Sequence, residues 1–485
     1  MKRTLSRFLA CLTLCAALAG ALPISASAAF EDVPQGHWAA ESIRQCVEHG
    51  FFNGESDTRF GLGNQMTRSA FTVVLCRFFG WDTAASGQTI YNDIPATAWY
   101  AGAVEAAYAH GAITDQRKDF RPAEPITREE LAVMLVRALG YGSISGLNQD
   151  LPAPFQDVNT NPGYIAMAYH LGLMSGTTEE TFSPERFATR EQVAVILMRL
   201  YNKLHGAKPD SLVIATRPED VEGAAVAAVP ALRLVSSNLI NGMPPEESAP
   251  VIEAARQAGI PTLLHILGSG LALNDVNQTA AALIDAVNEG GYDGLYLDLP
   301  NLPTKNRQSL VKLAKKLHAA LGDKLFYLVA EAPVRDGKTY GGYLYQDLAA
   351  ASDTLVLRVA PYVKPAAALS ITPPAPPEEI YYALSSLQGT LDPARTALTF
   401  STEPLIYQNK KPYALSPEAL ELLMADESIA VSSSERYAAS YFTAKTETGK
   451  SFSVWYVDES GVDTRLQLAT LLGVSYVCIA DDPAS

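Results

Sequence analysis

The sequence predicts a multidomain chain whose first half is all-α and built from three repeats, and whose second half is an α/β barrel of the TIM (β/α)8 type. Three observations lead there. Similar start motifs recur three times at intervals of about 60 residues between Phe30 and Gly206. After a short polar stretch, Lys203 to Asp210, the texture changes to short apolar runs alternating with helical patterns for the rest of the chain. The composition, 48% hydrophobic and 18% charged over 485 residues with Gly 33, Pro 30 and Cys 5, is globular and excludes disordered, collagen-like and disulfide-dense classes.

The opening MKRTLSR, the apolar FLACLTLCAALAGAL and the small-residue PISASAA predict a secretory signal peptide over residues 1–29, cut near Ala28 or Ala29. Cys15 follows Leu14 rather than a small residue, so a lipid anchor is not expected. No later run reaches 18 apolar residues, so no membrane span is expected. Losing Lys2, Arg3 and Arg7 with the leader takes the formal charge from −15 down by three to −18. Such an acidic protein repels a phosphate backbone, which argues against nucleic acid as a partner. Of the cysteines only Cys46, Cys76 and Cys478 remain, an odd number and no disulfide framework; Cys46 and Cys76 read as buried thiols, with a bridge between them left open.

The repeats span 30–84, 85–146 and 147–206. They start FEDVPQGHWAAESI at Phe30, YNDIPATAWYAGAV at Tyr91 and FQDVNTNPGYIAMA at Phe155. Each continues as an apolar helix ending near Gly50, Gly111 or Gly172, as a helix C-terminus favours. An aromatic anchor follows, Phe60, Phe120 or Phe182. A Thr-Arg pair then opens an amphipathic helix, with Thr67, Thr127 and Thr189 as N-caps and Glu130 and Gln192 completing capping boxes.

In these features residues 30–206 resemble a tandem triplet of S-layer homology (SLH) domains. The resemblance implies a pseudo-symmetric helical bundle whose grooves bind secondary cell-wall polysaccharide, pyruvylated, on the outside of Gram-positive-type cells. The binding residues it implies are Asp32, Trp38, Arg68, Asp93, Trp99, Arg128, Asp157 and Arg190. An arginine at a helix N-terminus offers a forked donor to a pyruvate carboxylate, and an aromatic floor suits a sugar ring. The same arginines and aspartates could instead join neighbouring repeats. The third repeat has Tyr164 where the others carry tryptophan, and the first lacks the acid after Arg68.

In the region 211–485, strands are expected around VIATRPEDV near 213 and at 231–238, 261–267, 292–299, 325–332, 354–361, 397–402 and 474–481. Helices VIEAARQAG, LIDAVNEGG, LVKLAKKLHAALG and LQLATLLG intervene, several closing on glycine. The segment resembles a family 18 glycoside hydrolase barrel of the divergent branch in spore-cortex and cell-wall proteins. FSVWYVDES looks like the hairpin inserted before the last helix and strand. The family motif Asp-Gly-x-Asp-x-Asp-x-Glu is altered here to Asp293-Gly294-Leu295-Tyr296-Leu297-Asp298-Leu299-Pro300, and proline has no proton to give. Ala360-Pro361 stands in place of Tyr-Asp, and Ala480 in place of a tryptophan floor. A barrel that binds glycan without turnover is therefore expected. The alternative is an active hydrolase using Asp298 with Glu331 or Glu403, if these acids form a pair rather than pairing with a base such as Arg358. Tyr340, Tyr343 and Tyr345 could stack on sugar or simply pack, and Pro365 to Glu379 reads as a rim element or a long connection. The seven scattered histidines form no ligand spacing, and no metal or other cofactor is expected.

Overall fold

The computed structural model describes residues 30–84, 91–114, 118–147, 151, 153–334, 342–359, 373–409, 411–426, 428–446 and 448–479. The predicted signal peptide, Tyr340, Ala360-Pro361, Ala480 and the part of the proline-rich stretch from 365 to 372 lie outside these residues. The chain forms two compact units: one comprises the described residues up to Leu131 together with Glu185–Arg199, the other Ala132–Pro184 together with Leu200 onward.

The first unit contains α1 (Ala40–Glu48), α2 (Arg68–Phe79) and α3 (Ala101–Ala109), with the openings of α4 (Arg128–Ala138) and α7 (Arg190–His205). Gly50 and Gly111 take positive φ just after α1 and α3, where a left-handed residue lets the chain turn back. Thr127 and Glu130 form the reciprocal capping box expected of them, at 3.1 Å each way. At Thr189 only half the box is made: its N–H donates to Gln192 Oε1 at 3.2 Å. The region is not purely helical. Isolated antiparallel bridges Thr67–Pro125, Thr127–Phe187 and Gln65–Thr189 link the approaches to the second helices into a closed ring of three. Cys46 and Cys76 are free buried thiols, which leaves the bridge between them unformed, and burial pushes the pKa of both up to about 12.

The second unit opens with α5 (Gly142–Leu147) and α6 (Pro162–His170). Gly163 brings α6 against α5, since a Cβ there would fall 1.7 Å from the Ser145 carbonyl oxygen. The barrel follows. Its eight parallel strands are β1 (Asp210–Ile214), β2 (Val226–Val235), β4 (Thr262–Leu267), β5 (Gly294–Asp298), β6 (Leu325–Glu331), β7 (Thr354–Val359), β8 (Thr396–Phe400) and β14 (Tyr476–Ile479), closed by pairing of β1 with both β2 and β14. Alternate residues point inward to a core of Leu212, Val226, Leu263, Tyr296, Tyr327, Val356 and Cys478. The second strand begins five residues before the expected Ala231. Pro230 hides its start, and the register shifts between Val229 and Leu232, a bulge that tolerates the missing N–H. The strand then turns back into β3 (Asn238–Asn241).

The outer helices include α8 (Pro245–Ala258), α9 (Val276–Glu289), α10 (Arg307–Leu321), the short α11 (Tyr345–Ala349), α12 (Pro377–Ser385) and α14 (Glu459–Leu472). The insertion before α14 is larger than the expected hairpin. It is a five-stranded antiparallel sheet of β10 (Lys411–Ala414), β9 (Leu405–Gln408), β13 (Ser451–Tyr456), β12 (Ala439–Lys445) and β11 (Ser432–Ser434), in that order, with α13 (Pro417–Met424) covering Phe442, Phe452 and Val454. Arg465 on α14 is fully buried and donates to the carbonyls of Ala375, Pro374, Ala438, Tyr437 and Gly461. One guanidinium thus ties the segment entering α12 to the inserted sheet.

Candidate functional site

Two sites carry the residues singled out in the sequence. In the repeats, the start-motif aspartates act on the anchor loops. Asp32 accepts from the N–H groups of Phe60, Gly61 and Leu62 at 2.8 to 3.0 Å, Asp93 from Phe120 and Arg121 at 2.7 Å, and Asp157 from Phe182 and Ser183 at 2.8 and 2.7 Å. Burial pushes the Asp32 carboxyl upward, but the three donors outweigh it and hold the group below the usual range. The residue after each anchor is left-handed: Gly61, Arg121 and Ser183. That conformation turns successive N–H groups toward one carboxylate.

The arginines reach across repeats. Arg68 donates from Nε to the Phe120 carbonyl at 2.8 Å, pairs with Glu130 at 2.8 Å, and lies 4.9 Å over the Phe120 ring. Arg121 shares the same Glu130 and also pairs with Glu124. Arg190 donates to the carbonyls of Phe60 and Asn53 at 2.9 and 2.8 Å, stands over the Phe60 ring, and reaches Glu55 only at 4.0 Å. Burial lowers the pKa of both guanidinium groups, which the acids partly offset. Arg128 is buried, at 8% exposure. Trp38 and Trp99 are the opposite, 61% and 69% exposed and each two residues ahead of its helix. Tyr164 does not occupy the corresponding place: it lies inside α6, and the position two residues before that helix belongs to Thr160.

The second site is the C-terminal mouth of the barrel, where inward positions turn polar. Glu331 ends β6 directly beside Arg358 of β7 in the strand register, and Asp298 ends β5. Arg358 binds both acids, Glu331 at 3.2 Å through Nη1 and Asp298 through Nη2. Asp298 and Glu331 are 1% and 3% exposed. Burial raises the Glu331 pKa, Arg358 pulls it back, and the balance remains upward. Burial would lower the pKa of Arg358, but its two acids overcome that and hold it above the usual value. Tyr296 packs in the core beneath. Glu403 is half-buried on the loop after β8, its N–H donating to Ser401 Oγ. Tyr343 and Tyr345 donate their hydroxyls to the carbonyls of Leu299 and Glu331, both at 2.8 Å.

His265 was not singled out by any motif. It lies on β4 beside Tyr296, 4% exposed, with neither ring nitrogen hydrogen-bonded, and burial followed by the Arg358 charge pushes it down to about 3. Its inward β4 position was the one sequence signal that could have found it. Among the described residues no group of three or more His, Cys, Asp or Glu is arranged to hold a metal, and no helix is long and apolar enough to cross a membrane.

Residues 29–72, 90–132 and 154–194 match the S-layer homology domain. The chain is 33% identical over 185 residues to an endoglucanase of Bacillus sp. (strain KSM-635), covering 36% of this chain and 19% of that protein. It is 26% identical over 198 residues to the S-layer protein EA1 of Bacillus anthracis, covering 40% and 22%. The chain therefore spans about a fifth of the length of these relatives. The fold matches a chitinase from Chromobacterium violaceum with a TM-score of 0.50 at 13% identity, over 56% of this chain and 96% of that one. The chain thus carries three SLH repeats and a closed parallel barrel of the same fold as that chitinase, and is a cell-surface protein of the Gram-positive type.

Proposed function

We propose that the protein is moored to secondary cell-wall polysaccharide through its SLH triplet and displays a barrel that binds glycan without cleaving it. The mooring rests on the three repeats, with the exposed indoles of Trp38 and Trp99 as sugar platforms and the inter-repeat arginines Arg68, Arg128 and Arg190 as donors to the pyruvate carboxylate of the polymer. Asp32, Asp93 and Asp157 serve this site by shaping the anchor loops that carry Phe60, Phe120 and Phe182.

The observation that carries the barrel's role is the shared guanidinium of Arg358. A proton donor must be able to release its proton to the substrate, and a nucleophile or base must present a free lone pair. Asp298 and Glu331 both face Arg358, and Pro300 stands where a family acid would be. The raised pKa of Glu331 is the one feature that favours the alternative, an active hydrolase.

Reducing-end release from peptidoglycan, chitin oligomers and plant glycans tests the choice. No turnover is expected from the wild-type protein; turnover abolished by Asp298→Asn would establish a hydrolase. For mooring, the protein should sediment with purified walls and lose that binding after chemical depyruvylation. Undiminished binding to depyruvylated walls would exclude the carboxylate-arginine contact.

A further inference from the structure

The third repeat departs from the first two at both ends of its first helix. At the start it has no exposed indole: Thr160 holds the position filled by Trp38 and Trp99, while Tyr164 is held inside α6. The Tyr164 hydroxyl accepts from Arg137 Nε at 3.1 Å, and the guanidinium lies 5.1 Å over its ring. At the other end α6 meets the barrel. His170 is 9% exposed, and its Nδ1 is 2.7 Å from the Tyr381 hydroxyl on α12; its carbonyl accepts from Gln388 Nε2 at 3.2 Å.

Two further contacts join the same surfaces. Tyr141, fully buried at the junction of repeats two and three, donates to Gln467 Oε1 on α14 at 2.9 Å. Lys203, near the end of α7, donates to the Leu471 carbonyl on α14 at 2.8 Å. The barrel helices α12 and α14 are thus bonded to three separate segments of the repeat region. Compactness agrees, because Ala132–Pro184 group with the barrel and not with the first repeat.

We infer that the junction of repeats two and three, with the first half of repeat three, is a clamp that holds the barrel to this part of the repeat region, and that the wall is gripped through repeats one and two. In the docked state the buried Tyr141 hydroxyl and His170 imidazole each keep a partner at hydrogen-bond distance. Separating the surfaces trades those bonds for bonds to water and exposes the rings of Tyr141 and Tyr381, both now buried. Gly206 to Lys208, exposed and short, then links two bodies that are already docked. The second part of the inference rests on the wall-anchoring role proposed above; the clamp does not.

A specific protease site inserted between Ala207 and Lys208 of the full-length protein tests the clamp. After cleavage, gel filtration at micromolar concentration should give one species containing both fragments. Two separate species overturn the inference. Tyr141→Phe combined with His170→Ala, with circular dichroism of the uncut variant matching wild type, should convert the cut protein to two species; continued co-elution would show that these bonds do not carry the clamp. In wall sedimentation, Trp38→Ala with Trp99→Ala should weaken binding about tenfold or more, and Tyr164→Ala less than about twofold. Equal losses overturn the division of labour. Wild-type protein that stays in the supernatant refutes the anchoring role itself, and co-elution alone then decides the clamp.

Discussion

Gly294 shows how a motif residue can be required for packing rather than chemistry. It opens β5 between two neighbouring strands, and an added Cβ would lie 2.1 Å from the Leu325 carbonyl oxygen and 2.7 Å from a Leu263 methyl. Gly294→Ala should therefore cost about 3 kcal/mol or more, because one of the offending atoms is backbone and cannot swing aside. Urea unfolding should register it as a lower midpoint, and an unchanged midpoint would mean that the strands separate easily. The preceding Asp293 has a similar structural duty, accepting from the Thr262 N–H at 2.8 Å and hydroxyl at 3.1 Å. In the repeats, Asp93→Ala removes the acceptor of two successive N–H groups and should lower stability by about 1 to 3 kcal/mol. The side-chain types at these places were legible in the sequence, but their duty was not. Aspartate at a start motif has the same letter whether it meets a sugar or a backbone N–H, and only the left-handed turn after each anchor decides between them.

At the level of elements, the caps differ in a measurable way. Thr127 closes its box in both directions, whereas the hydroxyl of Thr189 has no hydrogen-bond partner. Thr127→Ala should cost about 1 kcal/mol, and Thr189→Ala clearly less, when both are compared by thermal unfolding. The helices and barrel strands were largely readable, since apolar period and glycine stops are local signals. All eight barrel strands fall on or overlap their expected runs. Two elements escaped. The start of β2 is masked by Pro230, whose placement at a bulge depends on the neighbouring strand. The inserted sheet has β10 fully exposed and β11 only three residues long, so neither gives a hydrophobic run; they are held by pairing to β9 and β12. At the mouth, Asp298 and Glu331 were legible as strand-end acids. Pairing with Arg358 was one of the two readings the sequence left open; that both acids share the one guanidinium follows from the register of neighbouring strands, which a sequence does not display.

For the whole molecule, two buried histidines set the acid limit. Burial depresses His265 to about 3 and His170 to about 4, so both stay neutral in the folded protein over a range where the unfolded chain takes up protons. Above pH 6.5 neither costs stability; as pH falls below that value the penalty grows, and it levels off only once each folded-state pKa is passed. For His170 alone the loss is about 2 kcal/mol by pH 5. Glu331, raised by burial, titrates with the opposite sign and softens the decline. Urea midpoints should fall between about pH 6.5 and 4, with a shallower slope in His170→Gln; a flat profile would place both imidazoles in contact with water. The way the barrel closes also governs the order in which the molecule can be completed. A chain made from its amino end has the last residues of the bridged ring by Arg199, but the stave that joins β8 to β1 comes roughly 280 residues later, at Tyr476–Ile479. Until then β1 and β8 are raw edges, open to foreign strands. The bridged repeats can therefore be complete while the barrel is still open, and the exposure of those two edges is confined to that interval.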